Sequence, residues 1–175
     1  NVVLETTDSD KHWYVVLTRT NSERKVRDYF QLQEVDTFLP VQNRVIEREG
    51  KRIERERLLL PRMVFVHISR QEMAAVRSTL NVYDFLRDRS TGAPTCIPDA
   101  QMADFRYMLD YSQDQVILTG ESIPKGTRVV VAKGDLQGLR GELVRYNNKY
   151  HILVRIDMFG SAMVTIPASY VRKEK

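Results

Sequence analysis

The chain has 175 residues, with 27 Lys and Arg against 23 Asp and Glu, a formal charge of +4 and 42% hydrophobic residues. That supplies a core for one domain or two small ones, and 29% charged residues with only 8 Gly and 6 Pro exclude a disordered or fibrous chain. One cysteine, Cys96, excludes an internal disulfide framework and any all-cysteine zinc site, and no apolar run reaches the roughly 18 residues of a membrane span.

Residues 1–10 hold Glu5, Asp8 and Asp10 and no base, the reverse of a signal or transit peptide, so a reducing cytoplasm is expected. His12–Thr18, rich in aromatic and β-branched residues, predicts a strand. Thr20 and Glu23 stand at capping-box spacing, and Val26, Tyr29 and Phe30 then recur at helical spacing, with Tyr29 expected in the core. Phe38-Leu39-Pro40 opens an extended stretch. Two charged arms, Arg44–Glu49 and Lys51–Arg57, flank Gly50 and predict a solvated hairpin. Its six bases interleave with Glu47, Glu49, Glu54 and Glu56, so cross-strand Arg–Glu pairs and near neutrality are expected. Met63–Ile68 predicts a central strand, 70–80 a short helix and Val82–Leu86 another strand. Pro98 opens a third helix with Met102, Phe105, Met108 and Leu109 on one face.

Periodicity fails over 111–122, which predicts a linker. Beyond Pro124, five short β-rich segments separated by Gly134, Gly138, Gly141 and Asn147-Asn148 predict a small five-stranded barrel. The whole is an α+β chain: an antiparallel sheet flanked by helices over 11–110, a linker over 111–122 and a β-barrel over 123–175. Residues 123–175 carry ten bases and four acids, a balance that favours nucleic acid or an acidic protein surface.

Catalytic chemistry lacks its parts. His12, His67 and His151 stand far apart, with no Cys or His at ligand spacing. Cys96 has no local His partner, and the spacing Gly134, Gly138, Gly141 matches neither the dinucleotide fingerprint nor the P-loop. No enzyme activity, metal or cofactor is expected.

Trp13-Tyr14-Val15-Val16, the basic helix after it, Phe38-Leu39-Pro40, Leu60-Pro61-Arg62-Met63-Val64-Phe65-Val66, then Val76-Arg77 and Val82 follow in one order. That ordered set resembles the amino-terminal domain of the NusG transcription-elongation factors. Lys125–Arg145, with Gly126, Val129-Val130-Val131, Gly134, Gly138-Leu139 and Gly141, resembles the KOW motif that opens that family's SH3-like carboxy-terminal barrel. The housekeeping pattern before the central strand is commonly Phe-Pro-Gly-Tyr-Val. Leu60-Pro61-Arg62-Met63-Val64 replaces it here, which is more similar to a specialised paralogue of the RfaH kind or to the capsule-operon antiterminators of Bacteroides.

The resemblance implies a cytoplasmic, monomeric antitermination factor without cofactor. Its amino-terminal domain would sit on the clamp helices of RNA polymerase through Leu17, Leu60, Pro61, Met63, Phe65 and Phe85. Arg19, Arg24, Lys25 and Tyr29 would approach the non-template DNA strand. The KOW barrel would recruit Rho or a small-subunit ribosomal protein. The alternatives are a housekeeping NusG acting with Rho, and an RNA- or ribosome-binding KOW module.

Overall fold

The computed structural model describes residues 10–175. Contacts group them into two compact units: the first holds residues up to Pro40 and Leu60–Asp99, the second Val41–Leu59 and Ala100–Lys175.

In the first unit, β1 (His12–Thr18) and β5 (Met63–Ile68) have the bounds their composition predicts. They pair antiparallel with Leu17 opposite Met63, Val15 opposite Phe65 and Trp13 opposite His67. β2 (Asp36–Phe38) adds to the far side of β5, while β6 (Val82–Phe85) and β7 (Cys96–Ile97) pair with β1. Val15, Val16, Val64, Phe65, Val66 and Ile68 are fully buried, so both faces of the two central strands are covered. Helix α1 (Glu23–Leu32) buries Glu23, Val26 and Phe30 at helical spacing and contacts β2 and β5. The predicted helix over 70–80 is shorter: a 3-10 turn, Arg70–Glu72, leads into α2 (Met73–Arg77). There the Glu72 carboxylate accepts bonds from Ser69 N at 3.3 Å and Ser69 Oγ at 3.0 Å.

The expected capping box at Thr20 and Glu23 does not form. The cap is Ser22, which makes no side-chain bond to the helix; its Oγ donates to Thr20 O instead. Glu23 is drawn away because its buried carboxylate accepts a bond from Arg62 N at 2.8 Å.

In the second unit, β3 (Val41–Arg48) and β4 (Lys51–Leu58) form a two-stranded hairpin. Glu49 and Gly50 at its turn have φ of 53° and 74°, the left-handed pair that a two-residue hairpin turn requires. The register corrects the expected charge pairing. Only Glu47 opposite Arg52 joins unlike charges, whereas Arg44 faces Arg55 and Arg48 faces Lys51. Helix α3 (Asp99–Tyr111) buries Met102, Phe105, Met108 and Leu109, as the periodicity predicts.

The predicted linker contains a strand, β8 (Ile117–Thr119), paired with β12 (Gly160–Thr165). Its neighbours β9 (Thr127–Val131), β10 (Arg140–Tyr146), β11 (Lys149–Ile156) and β13 (Val171–Lys173) complete a six-stranded sheet. Its order is β13-β9-β10-β11-β12-β8. The expected five-stranded barrel is thus a six-stranded antiparallel sheet whose hydrogen-bonded path is open. The element order also inserts a 3-10 turn, Ala168–Tyr170, before the last strand. Val144, Leu153 and Met163 form its core cluster, with Ile117 from the predicted linker and Ile123 just after it packed against them. Those apolar side chains explain why the segment is ordered despite its polar neighbours.

Gln42 ties the hairpin to that segment. It is 2% exposed; its Nε2 donates to Asp114 O at 2.6 Å and to Ser112 O at 3.4 Å, and its Oε1 accepts from Val116 N at 2.8 Å. Gln42→Ala leaves a buried N–H and a carbonyl unpaired and is expected to cost about 2–3 kcal/mol. Denaturant unfolding measures the loss, and faster exchange of the Val116 amide localises it.

Candidate functional site

Alternation along a strand sends successive side chains to opposite faces, and directly opposed residues share a face. Leu17, Met63 and Phe65 therefore lie on one face of the first sheet. Phe85 pairs with Val16 and lies on the other face. Met63, Leu17 and Leu60 are half-buried and Pro61 is exposed, while Phe65 is 0% and Phe85 3% exposed. Phe65 packs against Phe38, their ring centroids 5.8 Å apart, and Phe85 against Tyr14 at 6.1 Å. The accessible apolar group thus consists of Leu17, Leu60, Pro61 and Met63. Phe65 supports it from within.

That group sits at a clamped corner. Arg62 has φ +62°; its N–H donates to Glu23 and its carbonyl accepts from Thr18 N at 2.9 Å. Glu23 is the residue the sequence could not single out for this role, because its partner is a backbone group 39 positions away.

Arg19, Arg24, Lys25 and Tyr29 are all exposed. Tyr29, expected in the core, is 47% exposed. Its helix turns Val26 and Phe30 inward, and position 29 falls at the edge of that stripe. Lys25 and Tyr29 are one turn apart on α1, and so neighbours on its surface. Tyr29 also borders a groove of about 310 Å³ lined by Phe30, Val35, Ala75, Val76 and Thr79.

Partial burial, and then the nearby Asp99, push the Cys96 thiol above its ordinary range, the opposite of an activated nucleophile. Among the described residues, no three or more His, Cys, Asp or Glu side chains gather as a metal site, and no helix is long and apolar enough to cross a membrane.

The family model described as "NusG: Transcription termination factor nusG" matches residues 11–106. The chain belongs to the NusG family. No curated protein matches it. Among solved structures it is similar to Thermotoga maritima NusG, in a structure described as "Domain interaction in Thermotoga maritima NusG". Identity is 21% over 97% of this chain and 100% of that one, with a TM-score of 0.50, a likeness of fold. The MjSpt4:Spt5 complex in conformation A matches at 14% identity over 93% of this chain and 98% of that one, with a TM-score of 0.31.

In this NusG-family chain Arg62 occupies the place where the housekeeping pattern has glycine, and it keeps the left-handed backbone that glycine adopts freely. Arg62→Gly relieves the left-handed strain and is expected to raise stability by about 0.5–1 kcal/mol after the added freedom of the unfolded chain. Thermal unfolding of the two proteins measures it; a loss of stability would show that the Arg62 side chain makes compensating contacts.

Proposed function

We propose that the protein is a transcription elongation factor that binds RNA polymerase and suppresses pausing and termination on particular operons, such as surface polysaccharide clusters. Residues 11–110 act as the polymerase-binding domain, 111–122 as the connection and 123–175 as a KOW-type, SH3-like module. These functional limits differ from the contact-defined units, in which the hairpin and α3 group with the carboxy-terminal strands. The observation that carries the proposal is the accessible apolar corner Leu17, Leu60, Pro61 and Met63, lying inside the segment matched by the family model. A thioether beside proline suits a docking surface that must adapt to a partner helix. The factor works by binding the active elongating state more tightly than the paused one, with no bond chemistry. It acts in the cytoplasm as a monomer. Phe65 belongs to the docking element as its buried support, whereas Phe85, on the other face of the sheet, packs against Tyr14.

Arg19, Arg24, Lys25 and Tyr29 take the non-template strand, the cations on phosphates and the Tyr29 ring against an unpaired base. Lys25→Ala is expected to lower the salt slope of single-strand binding by about 1, and Tyr29→Ala to cost about 1–3 kcal/mol without changing that slope. Fluorescence anisotropy titrations at several salt concentrations separate the two effects. The module over 123–175 recruits Rho or a small-subunit ribosomal protein.

Transcription in vitro on the native leader, with the cognate polymerase, a pause and a Rho-dependent terminator, tests the proposal. Faster elongation and more readthrough support antitermination; increased termination with Rho supports a housekeeping role. One observation favours a second reading, an RNA- or ribosome-binding module. Arg145 lies over the Tyr150 ring at 5.1 Å and Lys133 over Tyr170 at 4.9 Å, cation–aromatic pairs of a kind that bind single strands. Silence in the transcription assay with tight binding of free RNA would select it.

A further inference from the structure

The hairpin separates its charges by face. Its register sets Gln42 against Arg57, Arg44 against Arg55, Ile46 against Ile53 and Arg48 against Lys51, so these eight residues share one side. That side carries five bases and no acid. The other side carries Val41, Asn43, Val45, Glu47, Arg52, Glu54, Glu56 and Leu58, three acids and one base. The sequence hides this segregation because the sign of the charge follows a period of two along each arm. Arg57 is occupied: it donates to Val116 O at 3.3 Å. Arg44, Arg48, Lys51 and Arg55 are exposed, and none forms an ion pair with another described residue.

Four unneutralised cations within about 13 Å of strand length repel one another and destabilise the hairpin unless an anionic partner takes them up. Directly opposed like charges at two of the four pairs of one face are what folding alone would avoid. The chemistry of that face narrows the partner. It has no aromatic residue, so it offers no platform for an unpaired base. Its only apolar pair is Ile46 and Ile53, both half-buried, so it lacks the aromatic anchors of a tight protein interface. Three of the four cations are arginines, whose planar forks match phosphate oxygens. A two-stranded ribbon also fits the roughly 12 Å width of the DNA major groove.

We propose that the basic face of this hairpin, Arg44, Arg48, Lys51 and Arg55, binds the phosphate backbone of double-stranded DNA without reading its sequence. This goes beyond polymerase docking and the single-strand contact of α1, and its test needs neither. The full chain is titrated with a mixed-sequence DNA duplex by fluorescence anisotropy at several salt concentrations. A variant carrying Arg44→Gln, Arg48→Gln, Lys51→Gln and Arg55→Gln is compared with the natural chain and with one carrying Glu54→Gln and Glu56→Gln on the opposite face. Glutamine keeps a stem on the strand, and circular dichroism checks that each variant is folded.

The slope of log K against log salt is expected to shrink in magnitude by about 3–4 in the four-residue variant, following roughly 0.9 per phosphate contact. The opposite-face variant is expected to keep the natural slope. An unchanged slope in the four-residue variant, or equal slope changes in both variants, overturns the proposal. So does an affinity for a single strand of the same sequence that falls as much as the duplex affinity in the four-residue variant. Loss of polymerase binding with duplex affinity intact would assign the face to an acidic protein surface instead, and would likewise overturn it.

Discussion

Met63→Glu is expected to lower affinity for RNA polymerase by at least about 30-fold, the effect of losing one hot-spot side chain of about 2 kcal/mol and burying a charge in its place. The protein should remain folded. Met63 is half-buried beside Leu17, so an extended carboxylate there can reach water. Phe65→Glu is no substitute. Phe65 is 0% exposed, and a charge there would unfold the sheet rather than test a surface. Phe65→Ala instead serves as the stability control, with an expected cost of about 3–5 kcal/mol. A pull-down of purified polymerase with the full chain, Met63→Glu and Leu60→Glu, each checked for a native thermal transition, gives the result. Affinity retained by both folded variants would remove the Leu60–Met63 corner from the docking surface and leave family membership untouched.

The sequence disclosed elements wherever one periodicity dominated. β1 and β5 are continuous apolar runs because both faces of the central strands are covered, and α3 carries its buried residues at helical spacing. Other features depended on partners remote in the chain. The cap expected at Thr20 and Glu23 lost its carboxylate to Arg62 N. The predicted linker became ordered because Ile117–Thr119 found an open edge at β12, and because Gln42, more than 70 positions earlier, holds its backbone at Asp114 and Val116. Barrel closure could not be read from strand count, since closure depends on which edges pair. The candidate site was legible as composition and not as geometry. Leu17, Leu60, Pro61 and Met63 are accessible, but strand parity separates Phe85 from Phe65, and only the register reveals it. The hairpin is the sharpest case. Alternating Arg and Glu look self-neutral when counted, yet two antiparallel arms in this register gather like charges on one side.

Arg155→Ala is expected to destabilise the carboxy-terminal sheet by about 3–5 kcal/mol, because it strands a buried carboxylate. Glu142 is 5% exposed and accepts three bonds: from Arg155 Nε at 2.8 Å, from Arg155 Nη2 at 3.0 Å and from Gly126 N at 3.0 Å. The forked pair joins β10 to β11, and the Gly126 contact fixes the start of β9, so one carboxylate organises three strands. The Arg155 guanidinium holds the Glu142 carboxyl below its ordinary range, outweighing the burial that would raise it. A carboxyl lowered in the folded state stabilises the fold above the unfolded glutamate range and loses that contribution as pH falls through the lowered folded value. Stability of the natural chain should therefore decline in the acid range below that of an ordinary glutamate. Glu142→Gln should flatten that part of the profile while reducing stability at neutral pH. Removing both charges tests whether the pair or the stranded charge matters. Glu142→Leu together with Arg155→Met is expected to recover most of the loss of Arg155→Ala, since apolar replacement of a buried pair is often neutral, leaving the Gly126 N–H as the residual cost. Denaturant unfolding of the four proteins across acid to neutral pH decides it. A double variant as unstable as Arg155→Ala would mean that the ion pair itself is net stabilising.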